Sequence, residues 1–377
     1  MNIKPYLIIP KFIEQPTWGG TYISGFKNWQ DKPFANKKIG QSYELYSQTL
    51  LTNIPDSNDP TFEPELDVAP RHSFAIDELI GVDPEKVLGI NSIKKFGEKV
   101  NTLIKFTQAK GNSFQVHVKE GTENTSWLPK PESWYYFEEG LATLGLSDVK
   151  KIEEYNASAT RIAAEMDRIS SAIKSGQLLL DEAKKQAANL IIQENIYQYV
   201  NTVVVPKDAV IDIHAGGIHH SWEENDAKYP NGNIVYEVQL EAMDDASTLR
   251  SFDKGKIKDD GSVRPVQVEE YFTYIDASEK TNNPQTFLSH GKKLTETVTE
   301  LFNTPYYQLH QTVLTGTRDM KASNSFQHIF VHDGTVIIES EQNKLTVGRG
   351  HSAFIPASCD YRLTSLNTPA ILLTTFI

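Results

Sequence analysis

Gln115 and His117, two residues apart in the alternating run Phe114-Gln115-Val116-His117-Val118, give the first chemical signal in the chain. In a strand, residues i and i+2 share a face, so an amide oxygen and an imidazole can reach one ion. Lys130-Pro131-Glu132-Ser133-Trp134-Tyr135 adds a carboxylate at Glu132. His219 closes Ala215-Gly216-Gly217-Ile218-His219, whose glycines permit a tight turn that carries the imidazole towards the other strands. Two imidazoles, one carboxylate and one amide oxygen suit Zn²⁺, with positions left for water or a substrate oxygen. One anionic ligand against a dication leaves the site near +1, still a competent Lewis acid. Each piece alone has an ordinary explanation: Gln-x-His is common in strands, Glu132 could be a surface carboxylate, and His219 a hydrogen-bonded turn residue. The other histidines (His72, His214, His220, His290, His310, His328, His332, His351) lack this spacing. They read as structural or surface groups, with His220 the one exception to watch because it neighbours His219.

The elements that must position these groups are mostly strands. Residues 1 to about 70 read as turns and short β segments, punctuated by Pro5, Pro10, Pro16, Gly19 and Gly20. A helical pattern covers Asp77 to Lys95, with Asp83-Pro84 marking one start. Leu103 to Phe106 is a short apolar strand, and the Gln115 run alternates with period two. From Ser147 to Tyr199 the period changes. Ile162, Met166, Ile169 and Ile173, then Leu180, Ala183, Ala187, Leu190 and Ile191, fall at helical spacing on either side of Ser175-Gly176. That predicts a helical hairpin; the apolar stripe is too broad for the seam of a solvated coiled-coil arm. From Val203 the chain returns to β character, and from Val266 onward strands and turns are expected almost throughout. A weak repeat relates Pro206 to Gly216 with Val347 to Ala357, each a strand-turn-strand edge of a small antiparallel barrel.

Composition excludes several classes. The 377 residues are 39% hydrophobic and 23% charged, enough to bury a sizeable core. The single cysteine, Cys359, rules out an internal disulfide framework and a thiolate-rich zinc site. A net charge of −12 argues against nucleic acid as a partner, though a few local cations can still hold one phosphate. No apolar run is long enough to span a membrane, and the first residues carry no secretory pattern, so a cytoplasmic location is expected.

At these residues the sequence resembles the type I mannose-6-phosphate isomerase family of the cupin superfamily. The matching motifs occur in order: Trp18-Gly19-Gly20, Gly40-Gln41-Ser42-Tyr43-Glu44, Ser113-Phe114-Gln115-Val116-His117, Lys130-Pro131-Glu132, Gly216-Gly217-Ile218-His219, Glu237-Val238-Gln239 and Arg250-Ser251-Phe252-Asp253. The resemblance implies a mainly β fold of two cupin (jelly-roll) barrels. Residues 1–146 and 201–265 would form the catalytic cupin, 147–200 a helical insertion, and 266–377 a degenerate C-terminal cupin. It implies one Zn²⁺ per chain on Gln115, His117, Glu132 and His219. Four departures stand out: Gln41 where Glu is usual, Tyr43 for Trp, Val118 for Pro, and extra residues between Glu237 and Arg250.

The implied reaction interconverts mannose 6-phosphate and fructose 6-phosphate by moving a proton between C2 and C1 through an enediol(ate). It needs a base, an electrophile and a grip on phosphate. Arg250, permanently cationic, is the candidate for stabilising developing charge, against an ordinary ion pair with Asp253. Glu237 is a candidate proton carrier, Lys130 a catalytic and substrate-binding cation, and Ser113 a hydroxyl donor to substrate. Trp18, Trp134 and Tyr135 offer flat apolar walls. Two rivals share the fold: an Fe²⁺ or Mn²⁺ cupin oxygenase, disfavoured by Gln115, and a sugar-phosphate-binding cupin without turnover.

Overall fold

In a computed structural model the protein is described over residues 2–16, 18–213, 215–222, 227–366 and 369–377. His214 lies outside the described residues. Among the described residues the strands form four antiparallel sheets of seven, five, nine and four strands, as expected for two cupin barrels. The seven-stranded sheet runs, in spatial order, through Leu288–Ser289, Val210–Ile213, Glu132–Tyr136, Asn233–Leu240, Thr102–Ala109, Ile39–Leu45 and Lys11–Glu14. The five-stranded sheet opposite it orders Val200–Val205, Gly140–Leu146, His219–Trp222, Phe114–Val116 and Leu249–Phe252.

The period-two alternation of the seven-stranded sheet divides the molecule's chemistry. On one face, Ile104, Phe106, Tyr135, Phe137, Ile234, Tyr236 and Val238 join the core shared with the nine- and four-stranded sheets. On the other, Trp134, Tyr136 and Val235 pack towards Ala142 and Leu144 of the five-stranded sheet. Lys105, Glu132 and Glu237 occupy positions of that second face. One residue of register slip in any of these strands would therefore exchange core for site.

The five-stranded sheet is built the same way. Phe114, Val116, Leu249 and Phe252 lie in the core beneath the helical hairpin Ile152–Lys174 and Leu180–Glu194. Ile162, Met166, Ile169, Ala183 and Ala187 are buried there, so the broad apolar stripe is a packing face on the sheet. The break falls at Ser175 and Gly176, as the sequence predicts. Asp83 caps the helix Pro84–Leu88 by accepting a hydrogen bond from the Lys86 amide at 3.1 Å.

Two expectations need correction. The region after Val266 is not all β: Val268–Tyr274 and Glu279–Asn282 are helices, the latter capped by the Ser278 side chain accepting from the Thr281 amide. Nor do the sheets respect a boundary at residue 266. Leu288–Ser289 pairs with Val210–Ile213 of the first barrel. Tyr6–Ile9, Leu50–Thr52 and Ser73–Ala75 join the nine-stranded sheet, with Tyr6–Ile9 paired directly to Ser352–Ile355. Local periodicity marks a strand but not its non-local partner, which is why sequence order misassigned them.

Candidate active site

Register brings the expected groups to one place. Gln115 is flanked by His219 on one neighbouring strand and by Arg250 on the other. Glu132 approaches from the opposite sheet, where it pairs with Ile213 and Gln239. Gly216, at φ +79°, makes the turn before His219; its amide donates to the His117 carbonyl at 2.8 Å.

His117, Glu132 and His219 are each at most 4% exposed, and their ligand atoms all lie within 4.8 Å of one another. Among the described residues this is the one His, Cys, Asp and Glu group with such geometry. The His117 Nε2 and His219 Nε2 atoms are buried and make no hydrogen bond, and Glu132 Oε2, buried beside them, meets Lys130 Nζ at 3.0 Å and lies 3.4 Å from His117 Nε2. Leaving one such group unsatisfied costs ~1–3 kcal/mol, so two of them converging on a buried carboxylate oxygen mark a candidate cation site. Each imidazole is oriented through its other nitrogen. His117 Nδ1 lies 2.8 Å from the Ser247 carbonyl, and His219 Nδ1 lies 3.3 Å from that of Gly217. Donation there leaves both Nε2 lone pairs facing the focus. Burial lowers the pKa of both rings, that of His219 to about 3, which keeps them neutral. Glu132 is held well below the usual carboxyl range; Lys130, 3.0 Å away, and His117 outweigh its burial.

Gln115 Nε2 donates to Ser113 Oγ at 3.1 Å, leaving the amide oxygen as its remaining ligand atom. The residues thus fit a zinc ion: two neutral imidazoles, one anionic carboxylate and an adjacent amide oxygen. The focus lies at the wall of a cavity of about 720 Å³, lined among others by Gln115, Lys130, Glu132, Trp134 and Glu237. That volume suits a small-molecule ligand.

The remaining candidates divide. Glu237 is on the cavity wall, 2.7 Å from Lys105 Nζ. Burial and then the Glu132 carboxylate raise its pKa despite Lys105, while Lys105 is held protonated by its acidic neighbours. Lys130 also lines the cavity, its ammonium shared between Glu132 and, at 3.6 Å, Asp244. Arg250 and Ser113 sit behind Gln115. The Arg250 guanidinium donates to Ser113 Oγ, the Thr248 carbonyl and Asp244 Oδ2 at 3.2, 3.1 and 2.8 Å. Its close carboxylate partner is therefore Asp244; Asp253 instead lies 3.7 Å from Arg264. Trp18 and Trp134 line the cavity, but Tyr135 points to the other face of its sheet, where its hydroxyl meets Asp208 and Gln311. His220 likewise faces away from the focus, its ring 5.0 Å from that of Phe114. Gln41 and Tyr43, two departures from the family pattern, both line the cavity.

Sequence reasoning missed Lys105 and Asp244. Lys105 carried a signal, a charged residue inside an apolar central-strand run, where burial demands a partner. Asp244 did not, because it sits in the lengthened segment between Glu237 and Arg250.

Comparison with known proteins agrees with this architecture. Residues 297–363 match the family model described as mannose-6-phosphate isomerase, cupin domain. No curated protein matches the chain by sequence. A mannose 6-phosphate isomerase from Bacillus subtilis is similar in structure with a TM-score of 0.66 and 15% identity, over 99% of this chain and 100% of that one. The Salmonella typhimurium mannose 6-phosphate isomerase bound to fructose 6-phosphate and zinc gives 0.66 and 13%, over 99% of both chains. The fold of this chain is that of the mannose-6-phosphate isomerases. The resemblance seen in the sequence motifs and the match of the C-terminal cupin point to the same family.

Proposed function

We infer that the protein is a zinc-dependent aldose–ketose isomerase that interconverts mannose 6-phosphate and fructose 6-phosphate. The observation that carries this reading is the convergence of three buried ligand atoms, from His117, Glu132 and His219, the two imidazole nitrogens without a hydrogen-bond partner, at a cavity that also holds a Lys-paired carboxylate, Glu237. The same fold is seen in a mannose 6-phosphate isomerase bound to fructose 6-phosphate and zinc.

His117, Glu132 and His219, with the Gln115 amide oxygen, would hold one Zn²⁺, which supplies Lewis-acid polarisation of a substrate oxygen. Glu237 takes the proton-carrying role. Its burial and the nearby Glu132 carboxylate move its pKa upward, towards the range in which a carboxyl both accepts and donates near neutral pH. Lys105, at 2.7 Å, orients that carboxylate. Arg250, fixed by three acceptors, places permanent positive charge beside Gln115 to stabilise the negative charge that develops on the enediolate. Lys130, on the cavity wall, contributes a polar contact to the sugar, whereas Ser113 acts from behind Gln115, its hydroxyl accepting from the Gln115 amide and from Arg250. The seven-stranded sheet and Trp134 wall the cavity.

Elemental analysis of purified protein, coupled to a mannose 6-phosphate assay, tests this directly. One zinc per chain, activity lost to a chelator and restored by Zn²⁺ are the expected results. Tight sugar-phosphate binding with no conversion would refute catalysis, and oxygen uptake with bound iron or manganese would refute the reaction class.

A further inference from the structure

Arg250 sits where a sheet determines geometry least. Among the described residues its strand, Leu249–Phe252, is the last of the five-stranded sheet, paired on one side only, with Phe114–Val116. The register also shifts between Arg250 and Phe252, which makes Ser251 the extra residue of a β-bulge. A bulge re-aims the side chains beside it, and an edge strand has no second neighbour to hold them. Yet the guanidinium keeps three acceptors at 2.8 to 3.2 Å, which requires a fixed main chain beneath it.

Gln267 supplies that restraint. Its amide donates to the Arg250 carbonyl at 2.8 Å, and its Oε1 accepts from the Arg250 amide at 3.3 Å. One residue thus makes both of the hydrogen bonds that a neighbouring strand would make. The position is unusual for such a side chain. Gln267 is the N-cap of the helix Val268–Tyr274, where a short Ser, Thr, Asp or Asn side chain normally accepts from the helix's own first amides. Here the side chain makes no capping bond and goes to Arg250 instead. A residue that forgoes its local role for a partner far along the chain marks a functional constraint. The helix is itself anchored: Tyr271 is fully buried, and its hydroxyl lies 3.3 Å from that of Tyr155, which meets Ser251 Oγ at 2.7 Å. Both residues at the bulge are therefore held from outside the sheet, Ser251 by the helical insertion and Arg250 by Gln267.

We propose that Gln267 is a positioning residue for the reaction. It does not line the cavity, and it acts by fixing the backbone from which the Arg250 guanidinium reaches Ser113, Thr248 and Asp244. Its effect on turnover rests on the isomerase reading and on the role given there to Arg250; the clamp on the Arg250 main chain does not.

Gln267→Ala, Gln267→Met and Gln267→Glu, in zinc-loaded full-length protein, test the assignment. Alanine and methionine remove the acceptor, methionine keeping the length of the stem, whereas glutamate retains an oxygen in the same place. Losing one hydrogen bond of ordinary strength should lower kcat for mannose 6-phosphate about fivefold, with KM within about twofold of wild type and one zinc per chain. Gln267→Glu should return kcat to within about twofold of wild type. In an Arg250→Ala background, Gln267→Ala should change the residual kcat by less than about twofold, because a residue that acts only through Arg250 has nothing left to position. Wild-type kcat in both Gln267→Ala and Gln267→Met, or the same loss with and without the Arg250 side chain, would overturn the proposal. Residue-resolved hydrogen exchange reads the clamp without turnover. The Arg250 amide should exchange about fivefold faster in Gln267→Ala and Gln267→Met than in wild type. Unchanged exchange overturns the clamp. Faster exchange in a protein that never converts mannose 6-phosphate supports the clamp and sinks the isomerase reading alone.

Discussion

Replacing His219 by alanine separates what the metal group does for function from what it does for folding. The imidazole is 1% exposed and packs beside the rings of His117 and Trp134, yet its one hydrogen-bonding contact among the described residues is a 3.3 Å approach of Nδ1 to the Gly217 carbonyl, and Nε2 has no hydrogen-bonding partner. Truncating a large buried side chain commonly costs ~2–5 kcal/mol. Here the loss is offset by removing an unsatisfied buried nitrogen worth ~1–3 kcal/mol. The metal-free variant should therefore unfold within about 2 kcal/mol of metal-free wild type. Metal binding should respond far more, because changes around a ligand already cost about 10- to 100-fold in affinity and His219 is itself a ligand in this reading. The assay is denaturant unfolding of both proteins with chelator and with Zn²⁺ at fixed excess. Wild type at 1,000 times its dissociation constant gains about 4 kcal/mol from zinc, and His219→Ala should gain almost none of it. Equal zinc stabilisation of the two proteins would refute the ligand assignment. So would a metal-free variant that fails to fold, since that would make His219 a structural group.

Three further outcomes follow from the same geometry. Arg250→Ala should retain one zinc per chain by elemental analysis and lose most turnover, and Arg250→Lys should not restore it, because an ammonium cannot reproduce the fork that meets Ser113, Thr248 and Asp244; near-normal kcat in either variant would remove the role given to Arg250. The Lys27–Glu44 pair is fully buried, with Ser42 and Ser352 also on Glu44, so Glu44→Gln alone should cost ~3–5 kcal/mol in denaturant unfolding, and Lys27→Met/Glu44→Leu less than the single change. Burial lowers the pKa of His328 and His351 to about 3 and that of His332 to about 4, so between those values and the ordinary 6.5 the unfolded chain binds more protons. Stability of the metal-free protein should therefore fall on acidification below pH 6.5, with a slope from each ring of up to about 1.4 kcal/mol per pH unit, and unchanged denaturant midpoints between pH 7 and 5 would contradict this.

Much of this architecture could be read from spacing alone. Gln115 lies in the strand Phe114–Val116 with His117 one residue past its end, and the helical hairpin breaks where Ser175-Gly176 said it would. Both follow from local periods of 2 and 3.6, which are written into consecutive residues. The pairing of Tyr6–Ile9 with the C-terminal strands was not legible, because hydrogen-bonding partners more than 300 positions apart leave no trace in either segment. The candidate site divides in the same way. The three converging ligand residues stood in motifs with ordered spacing, whereas Lys105 was read as part of an apolar run although its charge implied a partner. Asp244 was invisible for another reason: its position between Lys130 and Arg250 depends on how the segment from Glu237 to Arg250 folds back, and no local period encodes that.

The seat of the first strand has a consequence for how the polypeptide matures. Tyr6–Ile9 finds its hydrogen-bonding groove between Leu50–Thr52 and Ser352–Ile355, strands far apart along the chain. The nine-stranded sheet therefore stays incomplete until Ser352–Ile355 is available, and the two barrels cannot be divided into independently folding halves by a single cut.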